Sequence, residues 1–208
     1  MRVAGVDGTK DGWIAIELED GRFLRDHFLS PVETDFRELA DAEMIAIDIP
    51  IGFGPRQADG AARSLLVGAA STVFTTPPRD VLERPFGPGL GVSAQAHALG
   101  SRIRHVTELA RSDPRLHEVH PEVSFRAMNG GRALRRKKCA AGALERIELL
   151  LRHRIHLGEL TSSASAPLDD VLDAAAAAWS AARIAAGEAK TLPDPAEVRD
   201  GSKIAIWY

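Results

Sequence analysis

The chain has 208 residues, 45% hydrophobic and 26% charged, a balance that suits one sizeable globular α/β domain. The formal net charge of −3 argues against a generic nucleic-acid coat but allows a local basic groove, and the lone Cys139 excludes an internal disulfide or a multi-cysteine zinc site. No secretory segment opens the chain and no run of about 18 apolar residues occurs, so a soluble cytoplasmic protein without membrane contact is expected.

Arg2 to Asp7 reads as a buried strand that ends in an acid. Gly12 to Leu18 and Arg22 to Leu29 follow after turns too short for crossovers, so the first three strands are expected to form an antiparallel meander. Glu33 to Asp41 has a helical pattern, and the stretch Met44 to Phe53 holds a second buried strand that ends in the acid Asp48 and is closed by Pro50 and Gly52. A helix is expected over residues 57–67 and a long functional loop over 71–91. A helix over 93–112 follows, with Ser93 as its N-cap. Leu116 to Glu122 reads as a strand leading into a turn at Pro121, and Arg132 to Lys138 is a basic run before a helix over 140–154. A small-residue loop precedes a last helix, from Pro167 to about Ala186, and the alternating tail Lys203 to Tyr208 suits an edge strand. The order predicts an α/β fold with a mixed central sheet and helices on both faces, a single domain over 1–208 with a loop and helical insertion around 55–112.

The last helix is the most informative. Asp169, Asp170 and Asp173 stand in its first turns, where acids meet the positive end of the helix dipole, and an alanine run follows. Spacings of three and four place two of these carboxylates on one face, and the alanines let the helix lie close against a sheet. Asp7 and Asp48 each end an apolar strand; were the strands parallel neighbours, their carboxylates would emerge side by side. Packed carboxylates raise one another's pKa unless a cation sits among them, and an all-oxygen set suits Mg2+ or Mn2+. Each acid alone has a plainer reading: Asp7 as an Asp-Gly turn, Asp48 as a turn cap, the helix acids as dipole partners.

These segments carry a resemblance. Gly5-Val6-Asp7-Gly8 with Gly12-Trp13, Ala46 to Gly52, and Val73-Phe74 ahead of Pro77-Pro78-Arg79 resemble domain-of-unknown-function family 429. So do His120 to Phe125, Gly142 with Glu145-Arg146, Asp169 to Ala174, and the terminal Ile206-Trp207-Tyr208. That family is described as predicted nucleases with an RNase H-like fold. The resemblance implies a metal-dependent nuclease in which Asp7, Asp48 and either Asp170 or Asp173 bind Mg2+ or Mn2+. Such ions activate a water and stabilise the leaving oxygen in phosphodiester cleavage. The start of the last helix is also similar to that of Holliday-junction resolvases, which often pair, so a homodimer is one expectation.

His120 and Glu122 complete the candidate catalytic set: Glu122 as a further ligand, His120 as a proton shuttle, against the plainer reading of a turn shaped by Pro121. Arg79, Arg136 and Lys138 are the candidates for phosphate contact, with Lys138 preferred within the basic run; solvated surface is the alternative for each. Two rival functions stand beside a nuclease: a non-catalytic nucleic-acid-binding or scaffold protein of the same fold, and an ATP-binding phosphotransferase of the sugar-kinase and actin type. The second normally needs a duplicate domain, and this chain shows no such duplication.

Overall fold

A computed structural model describes residues 1–158, 160–199 and 201–208. The strands β1 (Arg2–Thr9), β2 (Gly12–Glu19) and β3 (Arg22–Leu29) form the expected meander, closed by short turns. The parallel strands β4 (Met44–Ile47) and β5 (Leu116–Glu118) extend it, giving the mixed order β3-β2-β1-β4-β5. Residues 55–112 carry α1 (Gln57–Leu65), α2 (Arg79–Leu82), α3 (Ala94–Ala98) and α4 (Gly100–Ser112). Beyond β5 come α5 (Pro121–Met128), α6 (Ala140–Arg152) and α7 (Leu168–Ala185).

Side chains of a strand alternate between its faces, and the two cores follow that rule. Val3, Ile14, Ile16 and Ala46 face α5, α6 and α7, while Ala4, Val6, Trp13 and Ile45 face α4. Gly5 and Asp7 share the parity of Val3, and Asp48 shares that of Ala46, so strand geometry aims both acids at the α7 side. A third, smaller core joins α1, Val73 and Val123 to a two-stranded ribbon of β6 (Thr191–Arg199) and β7 (Ser202–Trp207).

Four expectations need correction. Residues 33–41 form only a 3-10 turn at Arg37–Leu39, because Phe36 takes a left-handed backbone (φ 55°) that interrupts a helix. The helix over 93–112 breaks at Leu99, where the start of α4 packs closely on Leu82; Ser93 does cap α3, accepting from Ala96 N. The strand over 116–122 stops at Glu118, and Pro121 opens α5, a position where its missing N–H leaves no bond unmade. The tail pairs with β6 and touches the main sheet by a single bridge from Trp207 to Val119, so it is not a full edge strand. No helix among the described residues is long and apolar enough to cross a membrane.

Candidate metal centre

The alanine face of α7 lies directly on β1. A Cβ built on Gly5 would stand 1.9 Å from the backbone nitrogen of Ala178 and 2.2 Å from the carbonyl oxygen of Ala174. Asp7 is two residues further along the strand, roughly 7 Å away, which matches about one turn of helix. That turn carries Asp173, with Asp170 beyond it. The parallel pairing of Val6 with Ile47, closed by the bond from Asp48 N to Val6 O, sets Asp48 beside Asp7.

Asp7, Asp48 and Asp173 therefore converge, each offering a carboxylate oxygen within 4.8 Å of the others. They line a cavity of about 260 Å³ that Asp170, His120, Glu122 and Lys137 also border. Burial pushes the pKa of Asp7 well up, and the charges of Asp48, Asp173 and Asp170 push it further. Burial likewise raises Asp48 and Asp173 to about 7, with Lys137 opposing the rise in both. The Lys137 ammonium stands 2.5 Å from Asp173 Oδ2. Burial disfavours its charge, but Asp173, then Asp48 and Asp7, outweigh that and hold it protonated. The other oxygen, Asp173 Oδ1, is buried without a hydrogen-bond partner.

The remaining candidates take different places. Asp170 is half-buried at the rim of the pocket, its pKa raised by burial and then by Asp169. Glu122 lies in the pocket wall with both oxygens 2.7 Å from Nη2 of Arg146. His120 borders the pocket, its Nδ1 buried without a hydrogen-bond partner and its Nε2 in a long 3.4 Å contact with Thr72 O; burial lowers its pKa and favours the neutral imidazole. Arg79 is exposed at the start of α2, paired with Glu83 at 3.0 Å, and does not border the acid pocket. Arg136 is exposed and also lies outside that pocket's lining. Lys138 is exposed and faces a neighbouring cavity with Asp169, so within the basic run it is Lys137 that reaches the acids.

The choice of Lys137 follows from how the run is anchored. Gly142 sits so close that a Cβ there would lie 2.0 Å from Arg136 O, and Arg146 Nη1 donates to Arg135 O at 2.9 Å. These contacts fix the backbone immediately before the lysine. The Gly142 and Arg146 pair was visible in the sequence as part of one motif; its role as the clamp on the basic run was not.

A second buried network shapes the opposite wall. Arg56 binds both oxygens of Glu118, at 2.5 and 2.8 Å, and Asp59 at 2.5 Å. Glu118 in turn accepts from Ile51 N at 2.7 Å, and Asp59 accepts from Thr76 N at 2.8 Å. The segment leaving Asp48 and the segment over 72–76 are thereby fixed around one guanidinium. None of these three was singled out in the sequence, since an Arg-x-x-Asp on a helix start reads as surface.

The three convergent acids fit a divalent cation. Their donors are all oxygen, one of them is a buried orphan, and their raised pKa values report a negative charge that a cation would relieve. Comparison with the curated proteins and with the solved structures returned no match. A family model does match residues 5–198, spanning all three acids, and on that match the chain belongs to the family described as protein of unknown function, DUF429.

Proposed function

We propose that the chain is a divalent-metal-dependent phosphodiesterase with an RNase H-like architecture, acting on nucleic acid. The observation that carries the reading is the convergence of Asp7, Asp48 and Asp173 from a first strand, a neighbouring parallel strand and a last helix. This is the arrangement that the family resemblance implies for a nuclease. Asp7, Asp48 and Asp173 would hold Mg2+ or Mn2+, with Asp170 at the rim. Bound there, the ion supplies Lewis-acid polarisation of a phosphoryl oxygen and a water of lowered pKa.

The chain's own groups account for the rest. The carboxylate oxygens that do not hold the ion would orient the attacking water. Lys137 sits where its ammonium neutralises the charge of an incoming phosphate, and its raised pKa keeps it cationic. The neutral imidazole of His120, in the pocket wall, would take a proton from the attacking water and pass it to the departing oxygen. The Arg146–Glu122 pair and the Arg56 network keep these walls in place without touching the reacting atoms.

A second reading is a nucleic-acid-binding protein without catalysis. It draws on the ion pair of Lys137 with Asp173, which already compensates one of the three acids. Incubation of labelled DNA, RNA, hybrid and junction substrates with Mn2+ or Mg2+ separates the two. Cleavage that disappears in Asp7→Asn and in Asp48→Asn, with both variants folded, is the expected result. No metal-dependent cleavage of any of these substrates, or wild-type cleavage by both variants, would reject the nuclease reading.

A further inference from the structure

Beyond Glu118, which borders both, lies a larger cleft of about 780 Å³. Segment 49–54 divides the two cavities: Ile49 and Pro50 face the acids, and Ile51 to Gly54 face the cleft. The ribbon does the same, with Ile206 on the acid side and Ile204 and Trp207 on the other.

The charge of the two cavities is opposite. The acid pocket carries Asp7, Asp48, Asp170 and Asp173 against Lys137, once Glu122 and Glu118 are paired with Arg146 and Arg56. The cleft carries Arg79, Arg111, Arg199 and Lys203 against Asp80. Arg199 is committed to Glu197 and to the carbonyls of Phe53 and Pro55, and Arg79 shares Glu83 across an exposed helix turn. Arg111 and Lys203 are exposed, and no side-chain hydrogen bond or ion pair engages either of them among the described residues. They approach the cleft from separate elements, the end of α4 and the start of β7. Its floor is apolar and aromatic, with Phe53 and Trp207 both half-buried.

We infer that this cleft binds the backbone of a single-stranded nucleic-acid segment, with Arg111 and Lys203 as its phosphate contacts and Trp207 on its floor. Unengaged cations over an aromatic floor are what single strands require, since every base offers a face to stack and every link a negative charge. Glu118 forms a wall common to the two cavities, so the cleft adjoins the acid centre. The inference rests on the phosphodiesterase reading for the identity of its ligand, while the charge of the cleft is independent of it.

The test is fluorescence anisotropy of a labelled single-stranded oligonucleotide in EDTA, comparing the wild-type chain with the Arg111→Gln, Lys203→Gln double variant over a range of salt. The variant should bind on the order of tenfold more weakly at low salt, with a log–log salt slope shallower by about 1.4, the loss of two single-strand phosphate contacts. The Mn2+-induced rise in melting temperature, read on EDTA-free aliquots of the same two proteins, should persist and so report an intact fold and acid centre. Unchanged affinity and slope in the folded variant would overturn the inference, as would failure of the wild type to bind the oligonucleotide. Variant-sensitive binding without metal-dependent cleavage would leave the cleft standing and remove the phosphodiesterase reading. Hydrolysis of bis(p-nitrophenyl) phosphate without oligonucleotide binding would do the reverse.

Discussion

Gly5 and Ala178 meet backbone to backbone, with the nitrogen of Ala178 only 1.9 Å from where a Gly5 side chain would begin. This contact sets the height of α7 above the sheet, and therefore the distance between Asp173 on the helix and Asp7 on the strand. It explains why the face of α7 after Asp173 is alanine: any larger residue would lift the helix and open the acid cluster.

Substitution of Gly5 by Ala consequently destabilises the chain and separates the acids at the same time. The obstructing atoms are main chain and cannot rotate away, so the loss is expected near the upper end for overpacking, about 3 kcal/mol. Urea denaturation measures it, and Mn2+ affinity should fall in parallel. A variant with an unchanged unfolding midpoint would show that α7 does not lie on the strand as described.

The metal-free protein should lose stability as pH rises through the neutral range. Asp48 and Asp173 have folded-state pKa values of about 7 against 3.8 ordinarily, and Asp7 is also raised. Between these limits the native state binds more protons than the unfolded chain, so the free energy of unfolding falls with increasing pH and levels off above the folded values. Asp26 acts in the opposite sense: burial works against its charge, but bonds from Thr161 and Ser163 hold its pKa low, and its contribution is lost in acid. Divalent ions bind the ionised acids, so the rise in melting temperature caused by Mn2+ should be larger at pH 8 than at pH 5. At a hundredfold excess over Kd that stabilisation is about 2.7 kcal/mol. Calorimetric scans at the two pH values with and without Mn2+ decide the point, and an equal or larger Mn2+ effect at pH 5 would contradict it.

The buried pair of Arg146 with Glu122 should behave as a unit. Arg146→Met alone strands a buried carboxylate and is expected to cost about 3 to 5 kcal/mol, whereas Arg146→Met with Glu122→Leu removes both charges and should cost less than the single change. A double-mutant cycle by chemical denaturation reads the coupling. Additive losses would mean that the two groups do not depend on each other.

Much of this arrangement was legible in the residues. Asp7 and Asp48 could be paired because each ends an apolar run, given that the two runs lie as parallel neighbours. The alanine run after Asp173 announced a helix that packs closely. Other features had no local signature. β6 contains Pro193 and Pro195, which argue against a strand, and it pairs only because β7 folds back on it. Phe36 interrupts a helical pattern through a backbone angle that its side chain gives no hint of. Lys137 and Lys138 are chemically identical neighbours, and only the clamp at Gly142 and Arg146 decides which of them faces the acids.

The most direct test of the acid centre is diffraction from crystals of this chain soaked in Mn2+, recorded where manganese scatters anomalously. The account predicts an anomalous peak enclosed by the carboxylates of Asp7, Asp48 and Asp173, and its loss in Asp7→Asn crystals. Manganese bound elsewhere with that pocket left empty, or a peak that survives the substitution unchanged, would contradict it.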